Sequence, residues 1–169
     1  MNLSVTGADG AEAAELAEVA AATFPLACPP RASSEDIAAF ITANLSAAHF
    51  AEYLADPART VITVRDDGRI IGYALLIQHD DNPEIELSKF YVLPGWHGSG
   101  ASTLLMAAVL DWGSASGARA LTLGVNRGNE RAQAFYRKQG FAITGTRTFD
   151  LGWSIENDFV MTRKLSTSD

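Results

Sequence analysis

The chain is poor in the residues that build covalent staples and metal centres. Its one cysteine, Cys28, excludes an internal disulfide, and there are only three histidines. The spacing of Cys28, His49, His79 and His97 matches no zinc cluster, so a reducing compartment and no metal are expected. Long apolar runs are missing too. None approaches the roughly 18 residues of a bilayer crossing, and no basic stretch followed by an apolar core opens the chain. A cytoplasmic protein without a membrane partner is the expectation. Cations are outnumbered, 13 Lys and Arg against 20 Asp and Glu, for a net charge of −7 and a pI near 4.9. Such a field repels the phosphate track of a nucleic acid and attracts a cationic small molecule.

What is present suits one domain spanning 1–169: 47% hydrophobic residues, with neither repeat nor low-complexity linker. Asn2 to Thr6 reads as a strand. Asp9, with Glu12 three residues on, opens an Ala-rich helix that should finish before Pro25. Ala27 to Ala32 reads as a loop. Ser33 or Ser34 then starts one helix carrying Ile37, Phe40, Ile41, Leu45, Phe50 and Leu54, ending near Asp56-Pro57. Thr60 to Arg65, Arg69 to Gln78 and Ile85 to Val92 are β-rich runs, the first two joined by the hairpin signal Asp66-Asp67-Gly68. Beyond them Thr103 to Trp112 is a helix with Gly113 to Gly117 as its exit. Ala120 to Val125 is a strand, Asn129 to Gln139 a helix closed by Gly140, and Phe141 to Thr148 and Phe159 to Leu165 are the last strands.

Three constellations carry chemistry. The first is the turn His97-Gly98-Ser99-Gly100-Ala101-Ser102 between the apolar run Phe90-Tyr91-Val92 and a helix. Glycines permit positive φ and close approach, and the first N–H groups of a helix lack internal partners and sit at its positive end. The combination predicts a cradle for a pyrophosphate. The second is the helix from Asn129, which places Tyr136 two turns later on nearly the same face, aiming an amide and a phenol together. The third is Glu86, which simple alternation groups with Ser88, Phe90 and Val92 on one face of its strand.

With these motifs the chain resembles the GCN5-related N-acetyltransferases (GNAT) over almost its whole length. The cradle is similar to the family's Gln/Arg-x-x-Gly-x-Gly/Ala loop, with His97 and Ser102 as departures, and Asn129 to Phe141 to its second cofactor-binding helix. Phe90-Tyr91-Val92, Leu123-Gly124-Val125, Phe149-Asp150-Leu151-Gly152 and Asp158-Phe159-Val160-Met161 look most like the PaiA-type spermidine/spermine acetyltransferases. The resemblance implies an α/β (α+β) fold: a mixed, mostly antiparallel sheet of about seven strands, splayed at the centre and flanked by about four helices. It also implies acetyl-CoA as cosubstrate, held by Tyr91, Val92, His97, Gly98, Ser99, Gly100, Ala101, Ser102, Asn129 and Tyr136. The pantetheine arm would pair near Val92 in the splay, and the pyrophosphate would lie on His97 to Ser102.

The expected reaction is transfer of acetyl to a small, cationic primary amine such as a polyamine. An ammonium with a pKa of about 10 has no lone pair, so Glu86 is the candidate base, directly or through water, with Glu84 as competitor. The Val92 N–H would stabilise the oxyanion, and Tyr136 would hydrogen-bond to or protonate the departing sulfur. Against these readings, Glu86 could simply pair with Lys89 or Arg119, and Tyr136 could simply pack with Phe135. Asp80-Asp81 could line a polyamine entrance, and the Asp150 to Asn157 loop would help choose the substrate. Amino acids, aminoglycosides and protein N-termini are alternative acceptors, and a non-catalytic acyl-CoA-binding module is the alternative class. Edge strands near the C-terminus could permit a homodimer.

Overall fold

The computed structural model describes residues 1–165. Seven strands form one sheet: β1 (Leu3–Gly7), β2 (Arg59–Asp66), β3 (Arg69–Gln78), β4 (Glu84–Val92), β5 (Ala120–Asn126), β6 (Ala142–Asp150) and β7 (Ile155–Lys164), in the order β1-β2-β3-β4-β5-β7-β6. Only β4 and β5 are parallel. The helices are α1 (Ala13–Ala27), α2 (Ser34–Asn44), α3 (Ala47–Ala55), α4 (Ala101–Ala115) and α5 (Glu130–Lys138). The expected mixed, mostly antiparallel sheet is therefore present. The core lies on both of its faces. Phe50 of α3 meets Tyr73 of β3 edge-on at 5.5 Å, while Leu105, Met106 and Val109 of α4 are buried on the other face.

Several local expectations are corrected. The first helix does not stop before Pro25 but carries it in its last turn. The carbonyl that Pro25 cannot engage belongs to Ala21, which is exposed and can be met by water. The second helix is two, because Leu45 leaves helical geometry at φ −127° and the Ser46 side chain accepts from the His49 N–H to start α3. Gly113 is not a helix exit: it lies inside α4, where a Cβ would come within 2.9 Å of Leu165 and 3.4 Å of Leu121. The helix thus runs close to the sheet. The Asp150 to Asn157 segment is half strand, the end of a hairpin whose turn, Leu151 to Ser154, is held by the Leu151 N–H donating to the Ser154 carbonyl.

A further correction governs the site. Between β3 and β4 the register slips, with Leu76 opposite Leu87 but Leu75 opposite Lys89, so Ser88 is an extra residue. Ile77, Leu75 and Tyr73 alternate regularly along β3, and their partners are Glu86, Lys89 and Tyr91. Those three share the α1–α3 face. Glu86 is not on the face of Phe90 and Val92, as unbroken alternation would have it.

Candidate functional site

The parallel strands β4 and β5 pair only from Glu84↔Ala120 to Glu86↔Thr122 and then diverge. Past Glu86 the β5-side edge of β4 is therefore free. The Leu93 N–H donates to the Ile71 carbonyl at 2.8 Å, which makes Val92↔Gly72 a non-hydrogen-bonded pair of the antiparallel ladder. The N–H and C=O of Val92 consequently point away from β3, into the splay. A cavity of about 670 Å³ passes through this gap, lined on one side by His97, Gly98, Gly100 and Tyr136 and on the other by Phe24, Phe40, Phe149 and Asp158.

At one end lies the turn before α4. The amides of Trp96, His97 and Ser99 donate to carbonyls, and that of Ala101 to the Ser99 hydroxyl. The amides of Gly98, Gly100, Ser102 and Thr103 have no acceptor among the described residues. Gly98 and Gly100 sit at φ +80° and +91°, and a Cβ built on either would meet nothing within 4 Å. Four free amides at the positive end of a 15-residue helix form a concavity suited to a diphosphate. Ser99 and Ala101 do not line the cavity; the Ser99 hydroxyl donates to the Trp96 carbonyl and Ala101 is buried. His97 is tied on both ring nitrogens. Nε2 donates to the Val92 carbonyl at 3.0 Å, and Nδ1 accepts from the Arg131 guanidinium at 2.9 Å. Arg131 thereby brings a positive charge to the cradle.

Helix α5 closes this side. Asn129 caps it by accepting from the Ala132 N–H at 3.2 Å, and buried Gln133 donates to the carbonyls of Asn126 and Arg127. These bonds pin α5 to the end of β5, so Asn129 and Tyr136 both line the cavity. Tyr136 packs edge-on against Phe90, Phe135 and Phe141, with centroids 6.2, 5.6 and 5.8 Å away. Burial pushes its phenol pKa well above the ordinary value, with Tyr91 adding to the effect. The hydroxyl stays protonated and, among the described residues, has no acceptor.

The other face holds the ionisable groups. Glu86, at the vertex of the splay, pairs with His79 at 3.0 Å and Arg147 at 3.7 Å, rather than with Lys89 or Arg119. Gly124 makes the second pair feasible, since its missing Cβ would collide with the Arg147 guanidinium. Glu84 lines a separate hollow with Arg119 and Lys164, and Asp80-Asp81 lie outside both cavities, exposed in the β3–β4 turn. Burial raises the Tyr91 phenol to about 12, with the nearby Cys28 and Asp158 contributing. Burial also lowers the Lys89 ammonium. The residues that sequence reasoning passed over are Arg131, Gln133, Arg147, Glu156 and Asp158. The last two stand two apart on β7, a period-2 signal that was available, but Glu156 lay in the segment read as loop and Asp158 between that loop and the strand read from Phe159.

Comparison with known proteins agrees with this geometry. A family model described as Acetyltransferase (GNAT) family matches residues 19–141. An uncharacterised N-acetyltransferase of Mycobacterium tuberculosis (strain ATCC 25618 / H37Rv) is 59% identical over 147 residues, 87% of this chain and 94% of that protein. An aminoglycoside N(6')-acetyltransferase type 1 of Stenotrophomonas maltophilia is 32% identical over 111 residues, covering 62% of this chain and 67% of that protein. Among solved structures, the PaiA N-acetyltransferase of Thermoplasma acidophilum in complex with coenzyme A superposes with a TM-score of 0.84 at 20% identity, covering 97% of this chain and 99% of that one. At that identity the likeness concerns the fold.

Proposed function

The chain belongs to the acetyltransferase (GNAT) family, and from that premise we propose that it moves acetyl from acetyl-CoA to the nitrogen of a small primary amine. One observation carries the reading: a single cavity joins four free amides, an unpartnered phenol and a carboxylate-bearing face through the gap between β4 and β5. The cosubstrate supplies an acetyl group activated as a thioester, and the C–N bond forms as the C–S bond breaks. The open amides of Gly98, Gly100, Ser102 and Thr103, with Arg131 beside them, would hold the diphosphate. Asn129 has its side-chain N–H₂ left over from capping to orient the arm between the strands.

The Val92 N–H, turned into the splay, would donate to the carbonyl oxygen as negative charge develops there. Glu86 lies at the vertex of the gap and would take the ammonium proton directly or through a water. Its pairing with Arg147 and His79 orients the carboxylate and also competes with that role. Tyr136 would hydrogen-bond to the departing sulfur, or protonate it and recover the proton from solvent, so that the thiolate leaves as the thiol. No metal enters the scheme. A polyamine, which the resemblance to PaiA-type enzymes suggests, is one member of that acceptor class.

Calorimetric titration with acetyl-CoA, desulfo-CoA and ATP tests the cradle: the CoA ligands should bind and ATP should bind poorly. Thiol release across a panel of amines then tests transfer. Binding without release on every amine would leave an acyl-CoA-binding module instead.

A further inference from the structure

The cavity mouth on the α1–α2 side is aromatic rather than acidic. Phe24 and Phe40 stack with centroids 4.6 Å apart and planes 9° from parallel, and Phe149 closes on Phe40 at 6.3 Å. All three line the cavity. Phe149 remains 38% exposed at the rim and Leu26 62%, apolar surface that a ligand would cover.

Three carboxylates line the same cavity, and two are already engaged. Glu86 pairs with His79 and Arg147, and Glu156 with Arg31, which ties the α1–α2 loop to β7. Asp158 is 7% exposed, and its side chain has neither a hydrogen bond nor an ion pair among the described residues. It sits opposite Asn126 on β5 and Arg147 on β6, on the face that carries Glu86 and Tyr91. Burial raises its carboxyl pKa, with Glu156 adding to the rise and Arg147 opposing it. Its carboxylate opens to the cavity and not to a protein partner, so it is free to receive the cation a ligand brings. Lys89, Arg131 and Arg147 also line the wall, so its fixed charges nearly cancel. A ligand with several ammonium groups needs several free carboxylates, and this wall offers one.

We propose that Asp158 receives the ammonium of the acceptor, and that the acceptor is a monoamine with a flat apolar body packed among Phe24, Phe40 and Phe149. This assignment rests on the acetyl-transfer reading and turns it away from polyamines. The aromatic rings supply area and edge-to-face geometry for a ring-bearing amine, and the single carboxylate fixes which end enters.

The test compares 2-phenylethylamine with spermidine by thiol release at saturating acetyl-CoA. The aromatic monoamine should have a kcat/KM at least about tenfold higher. Asp158→Asn should raise the KM for 2-phenylethylamine by about ten- to hundredfold, the size of a charge-assisted hydrogen bond, with the acetyl-CoA Kd within about twofold. Calorimetric titration of 2-phenylethylamine into the protein saturated with CoA should show the same loss without turnover. Phe40→Ala provides a second variant should Asp158→Asn fail to fold; it should erase the preference for the ring-bearing amine and leave acetyl-CoA binding intact. Preference for spermidine, or an unchanged amine KM in Asp158→Asn with acetyl-CoA binding intact, overturns the proposal and leaves the transferase reading standing. Wild-type protein that binds no acetyl-CoA overturns both.

Discussion

Replacing Tyr136 with Phe separates chemistry from packing at the site. The ring meets Phe90, Phe135 and Phe141 at centroid distances of 6.2, 5.6 and 5.8 Å, and a phenylalanine keeps all of these contacts. The hydroxyl it loses has no acceptor among the described residues, so none of their hydrogen bonds disappears and stability should change by less than about 0.5 kcal/mol. General-acid assistance contributes about 10²- to 10⁴-fold in rate. A thiol, with a pKa of about 8.5, leaves more readily than an amine or alcohol, and burial raises the Tyr136 phenol well above its ordinary range. Both facts place the effect at the lower end, about 10²-fold, or about 2.7 kcal/mol in the barrier. Thiol release at saturating acetyl-CoA and amine should therefore show a kcat about a hundredfold lower, with an unaltered acetyl-CoA Kd by calorimetry and an unaltered Tm. Because the phenol stays protonated across the working range, the wild-type alkaline limb should not be that of Tyr136. An unchanged kcat, or a kcat that falls in step with CoA affinity and Tm, would show that the ring acts only by packing.

Other substitutions probe the remaining parts. Glu86→Gln should slow turnover near neutrality and recover partly at high pH, where free amine is abundant; an unchanged pH–rate profile would reject Glu86 as base. Gly100→Ala forces a side chain onto φ +91° and should cost about 1–2 kcal/mol, read as a lower Tm together with weaker acetyl-CoA binding. Gly124→Ala should expel the Arg147 guanidinium from its place over β5; turnover should fall while CoA affinity holds, and unimpaired turnover would show that Arg147 has no part in ordering Glu86. For Asp158 the sign of the stability effect is informative. Its folded pKa is raised, so the native state binds that proton more tightly than the unfolded chain, and stability falls as pH rises from the unfolded value through the folded one. Asp158→Asn should thus raise the Tm at neutral pH while impairing acceptor binding; a lower Tm at pH 7 would mean that the carboxylate has a structural partner.

The parts of the site that follow from local rules were legible in the sequence. The αL glycines and the orphan amides at the start of α4 are consequences of a Gly-x-Gly turn feeding a helix. The pairing of Asn129 with Tyr136 follows from helical period alone. The carboxylate-bearing face was not legible, because its residues converge through register. Arg147 reaches Glu86 only because β6 is laid outside β7, and β7 beside a β5 that lacks a side chain at Gly124. Asp158 directly follows a stretch, Trp153 to Asn157, that carries no hydrophobic alternation. Its strand character comes from pairing with β6 along a hairpin, a tertiary effect that overrides weak propensity.

The extra residue in β4 shows how a small irregularity assigns chemistry to a face. With strict alternation Glu86 would share a face with Phe90 and Val92, beside Tyr136, and base and acid would stand on one side of the sheet. The insertion at Ser88 reverses the phase. Glu86, Lys89 and Tyr91 then lie on the α1–α3 face with Asp158 and Arg147, whereas Phe90 and Val92 remain with α4 and α5. The carboxylates of Glu86 and Asp158 and the phenol of Tyr136 end up on opposite sides of the splay. An amine that adds to an acetyl carbonyl in the gap from the carboxylate side would form a tetrahedral oxyanion there, and its collapse would release the sulfur toward the phenol side.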